Sequence, residues 1–233
     1  METILRDGFR ELGLTLTEEA LARFIAYYEH LDQRNKVMNL TAITGEEDTA
    51  RLHFLDCAAL LKAADFSGAR VVDVGTGAGF PGLPLKIVSP DISLTLLDSQ
   101  KKRVDFLVET CEKLGFGDVV CIHARAEEAH AEMRETFDIA VSRAVARLNI
   151  LCELCMPFVR PGGLFLAMKG PDVSQELSEA ERAISILGGK TFDVFSYSIP
   201  GTDIEHSVVV IKKVQSTPEK YPRRFARIQK SPL

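Results

Sequence analysis

Five short apolar runs, at residues 70–74, 93–97, 119–123, 138–142 and 163–168, alternate with longer stretches of helical period. This alternation constrains the fold more than any other feature, because parallel strands need long crossovers and a helix is the usual one. The crossovers read as helices at 81–89, 100–115, 126–134 and 147–158, with Pro161-Gly-Gly163 punctuating the approach to the fifth strand. After a helix near 173–187, two further runs at 190–198 and 206–213 flank Pro200-Gly201 and read as a closing antiparallel pair. The expected fold is therefore α/β, a seven-stranded, mostly parallel, doubly wound sheet.

Residues 1–66 have a different character. Leu21, Phe24, Ile25, Tyr28 and Leu31 keep the spacing of an amphipathic helix, which Thr15 or Thr17 can cap. Thr44-Gly-Glu-Glu47 matches a capping box before a second helix that carries Leu52, Leu55 and Leu60. The expected organisation is a helical extension (1–66) packed on the core, an α/β domain (67–213) and a basic tail (214–233).

Doubly wound sheets bind ligands beyond the carboxyl ends of their strands, near the point where strand order reverses. The first strand runs into Gly75-Thr-Gly-Ala-Gly-Phe80-Pro-Gly82, and the second ends in Asp98. Glycines at alternate positions let a backbone turn tightly against a ligand, so Gly75 and Gly77 are candidate binding positions. Asp98 is placed to accept hydrogen bonds from ribose hydroxyls. A dinucleotide fingerprint needs a third glycine where this chain has Phe80, which argues against an NAD-dependent oxidoreductase. A nucleoside cofactor without a pyrophosphate, S-adenosylmethionine, fits better. Past the third strand, Ala124-Arg-Ala-Glu127 offers a backbone N–H and a carboxylate to an adenine edge. Arg143 at the end of the fourth strand is expected to pair with a carboxylate, from the cofactor or from a neighbouring side chain.

Composition excludes several classes. No apolar run approaches the length of a membrane span, and no secretory leader is visible, so a cytoplasmic protein without membrane contact is expected. Five cysteines in such a chain read as reduced thiols, and Cys152-Glu-Leu-Cys155 reads as two thiols on the buried face of a helix, with no metal expected. The net charge is −5, yet residues 212–233 carry seven Lys or Arg and one acid. An acidic body with a basic end permits phosphate contacts at one place, and Arg223, Arg224 and Lys230 are the candidates.

What is missing narrows the acceptor of a methyl group. The fourth strand ends in Ser142-Arg-Ala144, without the Pro-Pro-aromatic loop used on exocyclic base amines. No cysteine falls where a pyrimidine-attacking thiolate is needed. Guanine N7 has a free lone pair and needs no base; a small-molecule acceptor and a non-catalytic cofactor-sensing RNA-binding role stay open at this level. No catalytic residue is identified.

Several further segments complete a family pattern: Asn39-Leu-Thr41, His53-Phe-Leu-Asp56, Asp73 to Gly82, Leu97-Asp-Ser99 with Lys102-Arg103, Arg125-Ala-Glu127, Ser142-Arg-Ala144 and Tyr221-Pro-Arg223 before a Pro-Leu end. With these the chain resembles the bacterial small-subunit rRNA guanine-N7 methyltransferases, historically called glucose-inhibited division protein B. The resemblance implies a class I S-adenosylmethionine-dependent fold, with cofactor contacts at Gly75, Phe80, Ala126, Glu127 and Arg143. It also implies a partner, small-subunit rRNA or the ribosomal subunit, and a guanine in the decoding-region loop as target. Cys57 stands where the family usually has serine, and Ala226 and Ile228 replace a common glycine and proline. His53 and Asp56, one helical turn apart, read as a local hydrogen-bonded pair more readily than as catalytic groups.

Overall fold

The computed structural model describes all 233 residues, Met1 to Leu233. Seven strands form one sheet in the order β3-β2-β1-β4-β5-β7-β6. They are β1 (Arg70–Val74), β2 (Ser93–Asp98), β3 (Val120–His123), β4 (Phe137–Arg143), β5 (Val159–Lys169), β6 (Gly189–Ser198) and β7 (Glu205–Lys213). β1 to β5 pair in parallel, and β7 runs antiparallel to both β5 and β6. Strand order reverses between β1 and β4, so the ligand crevice is expected at their carboxyl ends.

The helices are α1 (Glu2–Leu12), α2 (Glu18–Met38), α3 (Glu46–Thr49), α4 (Asp56–Ala58), α5 (Gly82–Val88), α6 (Lys101–Leu114), α7 (Ala126–Met133), α8 (Leu148–Cys155), α9 (Ser174–Ile186) and α10 (Phe225–Lys230). Between α3 and α4, Ala50–Leu55 winds as a π-helix. Thr17 caps α2, its hydroxyl accepting from Ala20 N at 3.1 Å. The capping box at Thr44 does not form: Gly45 is the cap of α3, with no side-chain hydrogen bond.

Alternation along each strand divides the core in two. Leu166 and Met168 of β5, with Val208 and Val210 of β7, face a cluster that also holds Leu5, Phe9, Phe24, Tyr27 and Phe54 of the amino-terminal helices. Phe165, Ala167, Val209 and Ile211 face the other side, against α8, α9 and the carboxy-terminal segment. The helical extension therefore shares a continuous core with the sheet. β5 begins earlier than its apolar run suggests. Val159 pairs with Phe137, the Pro161-Gly-Gly163 segment bulges out, and pairing resumes at Leu164 with Ile139. A bulge accommodates turn residues without ending the strand.

The tail is a docked element. Tyr221 and Ile228 are buried in the second cluster. The Arg134 guanidinium donates to the carbonyls of Thr217, Pro218 and Tyr221. Lys213 is fully buried, donating to Met156 O, Val159 O and Thr217 Oγ1. Burial lowers its pKa to about 8, with Glu135 opposing that shift.

Candidate active site

Two adjoining cavities open at the carboxyl ends of the strands, as the doubly wound topology requires. The narrower cleft, about 280 Å³, is lined by Gly75, Leu97, Asp98, Ala124 to Glu127, Ala144, Val145, Leu154 and Phe225, among others. The wider cavity, about 590 Å³, is lined by Thr41, Ile43, His53, Asp56, Arg143, Ala144, Lys169, His206 and neighbours. Ala144 belongs to both walls. Its φ of 56° is left-handed, a conformation that a side-chain-bearing residue holds at some cost. It turns the chain from β4 across the junction of the two cavities.

The glycine loop is held from beneath. Thr76 Oγ1 and Gly82 N both donate to Asp73 Oδ2 at 2.7 Å. Gly77 N donates to Asp98 Oδ2 at 3.0 Å, and Gln100 N to Asp98 Oδ1 at 2.8 Å. Asp98 thus orders the loop while facing the narrow cleft. Gly75 has φ 73°, and a Cβ there would lie 2.6 Å from Val145 Cγ2, so only glycine admits this approach. Asp73 is fully buried and its Oδ1 has no partner. Burial lifts its pKa to about 7, against the Thr76 hydroxyl and the Gly82 N–H.

The narrow cleft fits an adenosyl group by its donor set. A carboxylate sits at the end of β2, a backbone N–H and the Glu127 carboxylate open α7, and aliphatic side chains line the walls. That is the chemistry of a ribose, a base edge and a base face. Gly75, Asp98, Ala126 and Glu127 come together here. Gly77 contributes through its bond to Asp98 and is not part of the cleft wall.

Phe80 lies away from the wall of the narrow cleft, and Arg143 finds the carboxylate expected of it in a neighbouring side chain, Asp56. Phe80 is buried behind the wider cavity, stacked on His53 with centroids 4.1 Å apart and on Tyr27 at 5.4 Å. The Arg143 guanidinium lies 5.0 Å above the same ring. Its partners are protein groups: Asp56 Oδ2 at 2.9 Å, Leu52 O at 3.0 Å and His53 Nδ1 at 2.6 Å. Its side chain therefore lines the wider cavity, and the turn it leads into borders the narrow cleft. His53 and Asp56 are not a local pair. Arg143 bridges them from the end of β4.

This bridge fixes the state of His53. Its Nδ1 accepts from Arg143, so Nε2 carries the hydrogen and donates to Thr41 Oγ1 at 2.9 Å. Burial and then the Arg143 charge push its pKa down to about 3, with Asp56 opposing. It is a neutral imidazole with both nitrogens committed. Burial works against the Asp56 charge, but hydrogen bonds from His206 and Tyr197 and the Arg143 charge outweigh it and hold its pKa below the ordinary value. His206 Nδ1 lies 2.8 Å and Tyr197 OH 2.7 Å from Asp56 Oδ1.

The tail corrects a sequence expectation. Arg223 is not free for phosphate: its Nη2 lies 2.6 Å and its Nε 2.8 Å from the Glu153 carboxylate, and its backbone N also donates there. Glu153 is fully buried on α8. Arg224 and Lys230 are exposed. Cys57, Cys152 and Cys155 are fully buried, and burial raises all three thiols. No cluster of three or more His, Cys, Asp or Glu side chains could hold a metal ion, and no helix is long and apolar enough to cross a membrane.

Sequence reasoning missed His206, Lys169, Val145 and Phe225 as members of these walls, and Tyr197 as a partner of Asp56 behind them. His206 and Tyr197 had no local signal, since their partner Asp56 lies 150 and 141 residues away. Lys169 was visible as a strand end; it holds Ala146 O at 2.8 Å and Glu176 at 2.7 Å, and so fixes the turn after β4.

A family model described as rRNA small subunit methyltransferase G matches residues 20–204. A Clostridium botulinum protein named ribosomal RNA small subunit methyltransferase G is 45% identical over 233 residues, covering 99% of this chain and 98% of that one. An Alkaliphilus oremlandii protein of the same name is 44% identical over 236 residues, covering 100% and 99%. Among solved structures, M. jannaschii TYW2 in complex with AdoMet aligns with TM-score 0.55 and 14% identity over 68% of this chain and 75% of its own. A putative methyltransferase from Bacillus halodurans aligns with TM-score 0.56 and 14% identity over 69% and 99%. At such identities the structural likeness carries the fold alone.

Proposed function

This chain belongs to the rRNA small subunit methyltransferase G family, and from that premise and the two joined cavities we infer that it moves a methyl group from S-adenosylmethionine to N7 of a guanine in small-subunit rRNA. The observation that carries the reading is the shared wall at Ala144, where a cleft suited to adenosine meets a second cavity able to hold a base. On this reading the protein acts in the cytoplasm, with the rRNA or a ribosomal subunit as its partner.

S-adenosylmethionine supplies an electrophilic methyl on a sulfonium. Asp98 would accept from the ribose hydroxyls, and Ala126 N with Glu127 would meet the adenine edge. The turn from Ala144 to Val145, fixed by Lys169, would set the line from the cleft into the wider cavity. Alignment of this kind supplies on the order of 7–11 kcal/mol in good cases. Guanine N7 presents an unprotonated lone pair on an exposed edge, so no residue need remove a proton. That agrees with His53, whose nitrogens are both bonded and whose pKa lies near 3. Methylation leaves a cationic ring; Asp56, the one carboxylate of the cavity wall, is already paired with Arg143 and offers that ring no free charge. Of the three tail residues expected to meet phosphate, Arg224 and Lys230 stay exposed and would be available to it.

The test is transfer from labelled S-adenosylmethionine to small ribosomal subunits and to naked rRNA, followed by mapping of the modified base. A single 7-methylguanosine is expected. Cofactor binding without transfer to RNA would overturn the reading in favour of a small-molecule acceptor or a sensing role.

A further inference from the structure

We propose that Phe225, on the carboxy-terminal segment, is the outer wall of the adenosine cleft, so that docking of this segment and binding of the cofactor's base are one coupled event. The proposal rests on the cofactor reading above and extends it to a part of the chain that sequence alone assigned to RNA.

Three observations carry it. Phe225 is the only aromatic residue among those lining the narrow cleft, a lining it shares with strand-end residues such as Leu97. It also lines a separate outer pocket with Pro222, Arg224 and Gln229, so the ring is a partition with space on both sides. Arg125, which precedes the adenine-edge group Ala126, sets its guanidinium 6.0 Å from the centre of this ring.

The partition is anchored to the cleft itself. Arg223, two residues before Phe225, binds the buried Glu153, and the next residue of α8, Leu154, lines the cleft. Ile228, one turn beyond, is fully buried. Cleft and segment thus share α8 as a common support. An aromatic face in a cleft whose other apolar side chains are aliphatic offers a base a stacking surface. A ligand that binds only the docked arrangement must stabilise it, and docking must raise the affinity for that ligand by the same factor.

Calorimetry with S-adenosylhomocysteine and with adenosine, on the full chain and on Phe225→Ala and Phe225→Leu, tests the proposal. A further readout is the rate at which trypsin cuts after Arg224 and Arg227, with and without S-adenosylhomocysteine. Phe225→Ala should lose roughly tenfold or more in affinity for both ligands alike, since both carry the base. Phe225→Leu keeps the apolar contact and should fall between. In the parent, S-adenosylhomocysteine should slow cleavage of the segment, and Phe225→Ala should abolish that protection. The KM for RNA should stay within about twofold, which separates a cofactor wall from an RNA contact. Equal affinities for parent and Phe225→Ala, or tail cleavage indifferent to S-adenosylhomocysteine, would overturn the proposal alone. A parent that binds neither ligand would overturn it together with the cofactor assignment beneath it.

Discussion

Arg223→Ala separates two meanings of the same positive charge. As a phosphate contact, Arg223 would matter only when RNA is present. As the partner of Glu153, it matters to the protein itself. The Glu153 carboxylate is fully buried, and Arg223 gives it two guanidinium bonds and one backbone bond, between 2.6 and 2.8 Å. Removing one partner of such a pair costs about 3–5 kcal/mol, because the other charge is left buried without compensation. The chain has a cheaper escape than global unfolding. The segment can lift away and admit water to Glu153, giving up the burial of Tyr221 and Ile228, about 1.5–3 kcal/mol each. The two magnitudes are comparable, so the variant's tail should be undocked in a substantial fraction of molecules while the sheet stays folded. The assay is tryptic cleavage after Arg224 and Arg227, followed by mass spectrometry under native conditions. A population shift of this size corresponds to a cleavage rate raised by roughly 100-fold or more. Adding Glu153→Gln should recover part of the protection, since a neutral amide is easier to leave in the core. The reasoning is refuted if Arg223→Ala resists trypsin like the parent while RNA affinity falls and its salt slope drops by about one. That pattern would return Arg223 to the phosphate backbone.

Three other outcomes follow from the site. Asp98→Ala should weaken S-adenosylhomocysteine binding roughly 10- to 150-fold, the loss of hydrogen bonds to a charged acceptor at about 1.5–3 kcal/mol; unchanged calorimetric affinity would remove Asp98 from the cleft. Asp73 has its pKa raised to about 7 by burial, so it binds its proton more tightly folded than unfolded, and its contribution to stability falls as pH rises from about 4 to about 7. The stability of Asp73→Asn relative to the parent should therefore climb with pH across that window, by up to about 1.4 kcal/mol per unit; parallel urea-denaturation curves at about pH 5 and about pH 7 would contradict it. Arg224→Glu and Lys230→Glu should each lower RNA affinity and flatten its salt dependence by about one ion, with binding of S-adenosylhomocysteine unchanged; an unaltered slope would make them solvated charges only.

The strands and the glycine loop were legible because their signals are local. A period of two in Leu166 to Met168, a glycine at Gly75 and a carboxylate ending β2 are decided within a few residues, and the doubly wound topology then says where they meet. The partners of charged groups were not legible. Arg143 reads from sequence as a strand-end arginine, and only the packing of the amino-terminal helices on β4 brings it to His53 and Asp56. Arg223 reads as a basic tail residue until α8 presents a buried Glu153 beneath it. Phe225 carries no periodic signal at all. Side-chain type and spacing settle which elements form and which strand ends face the ligand. Which buried charge is neutralised by which partner, and whether a segment lies in solvent or forms a wall, depends on contacts between residues far apart in the chain. A low-dielectric interior makes those contacts decisive, because a buried charge must find its partner wherever the fold supplies one.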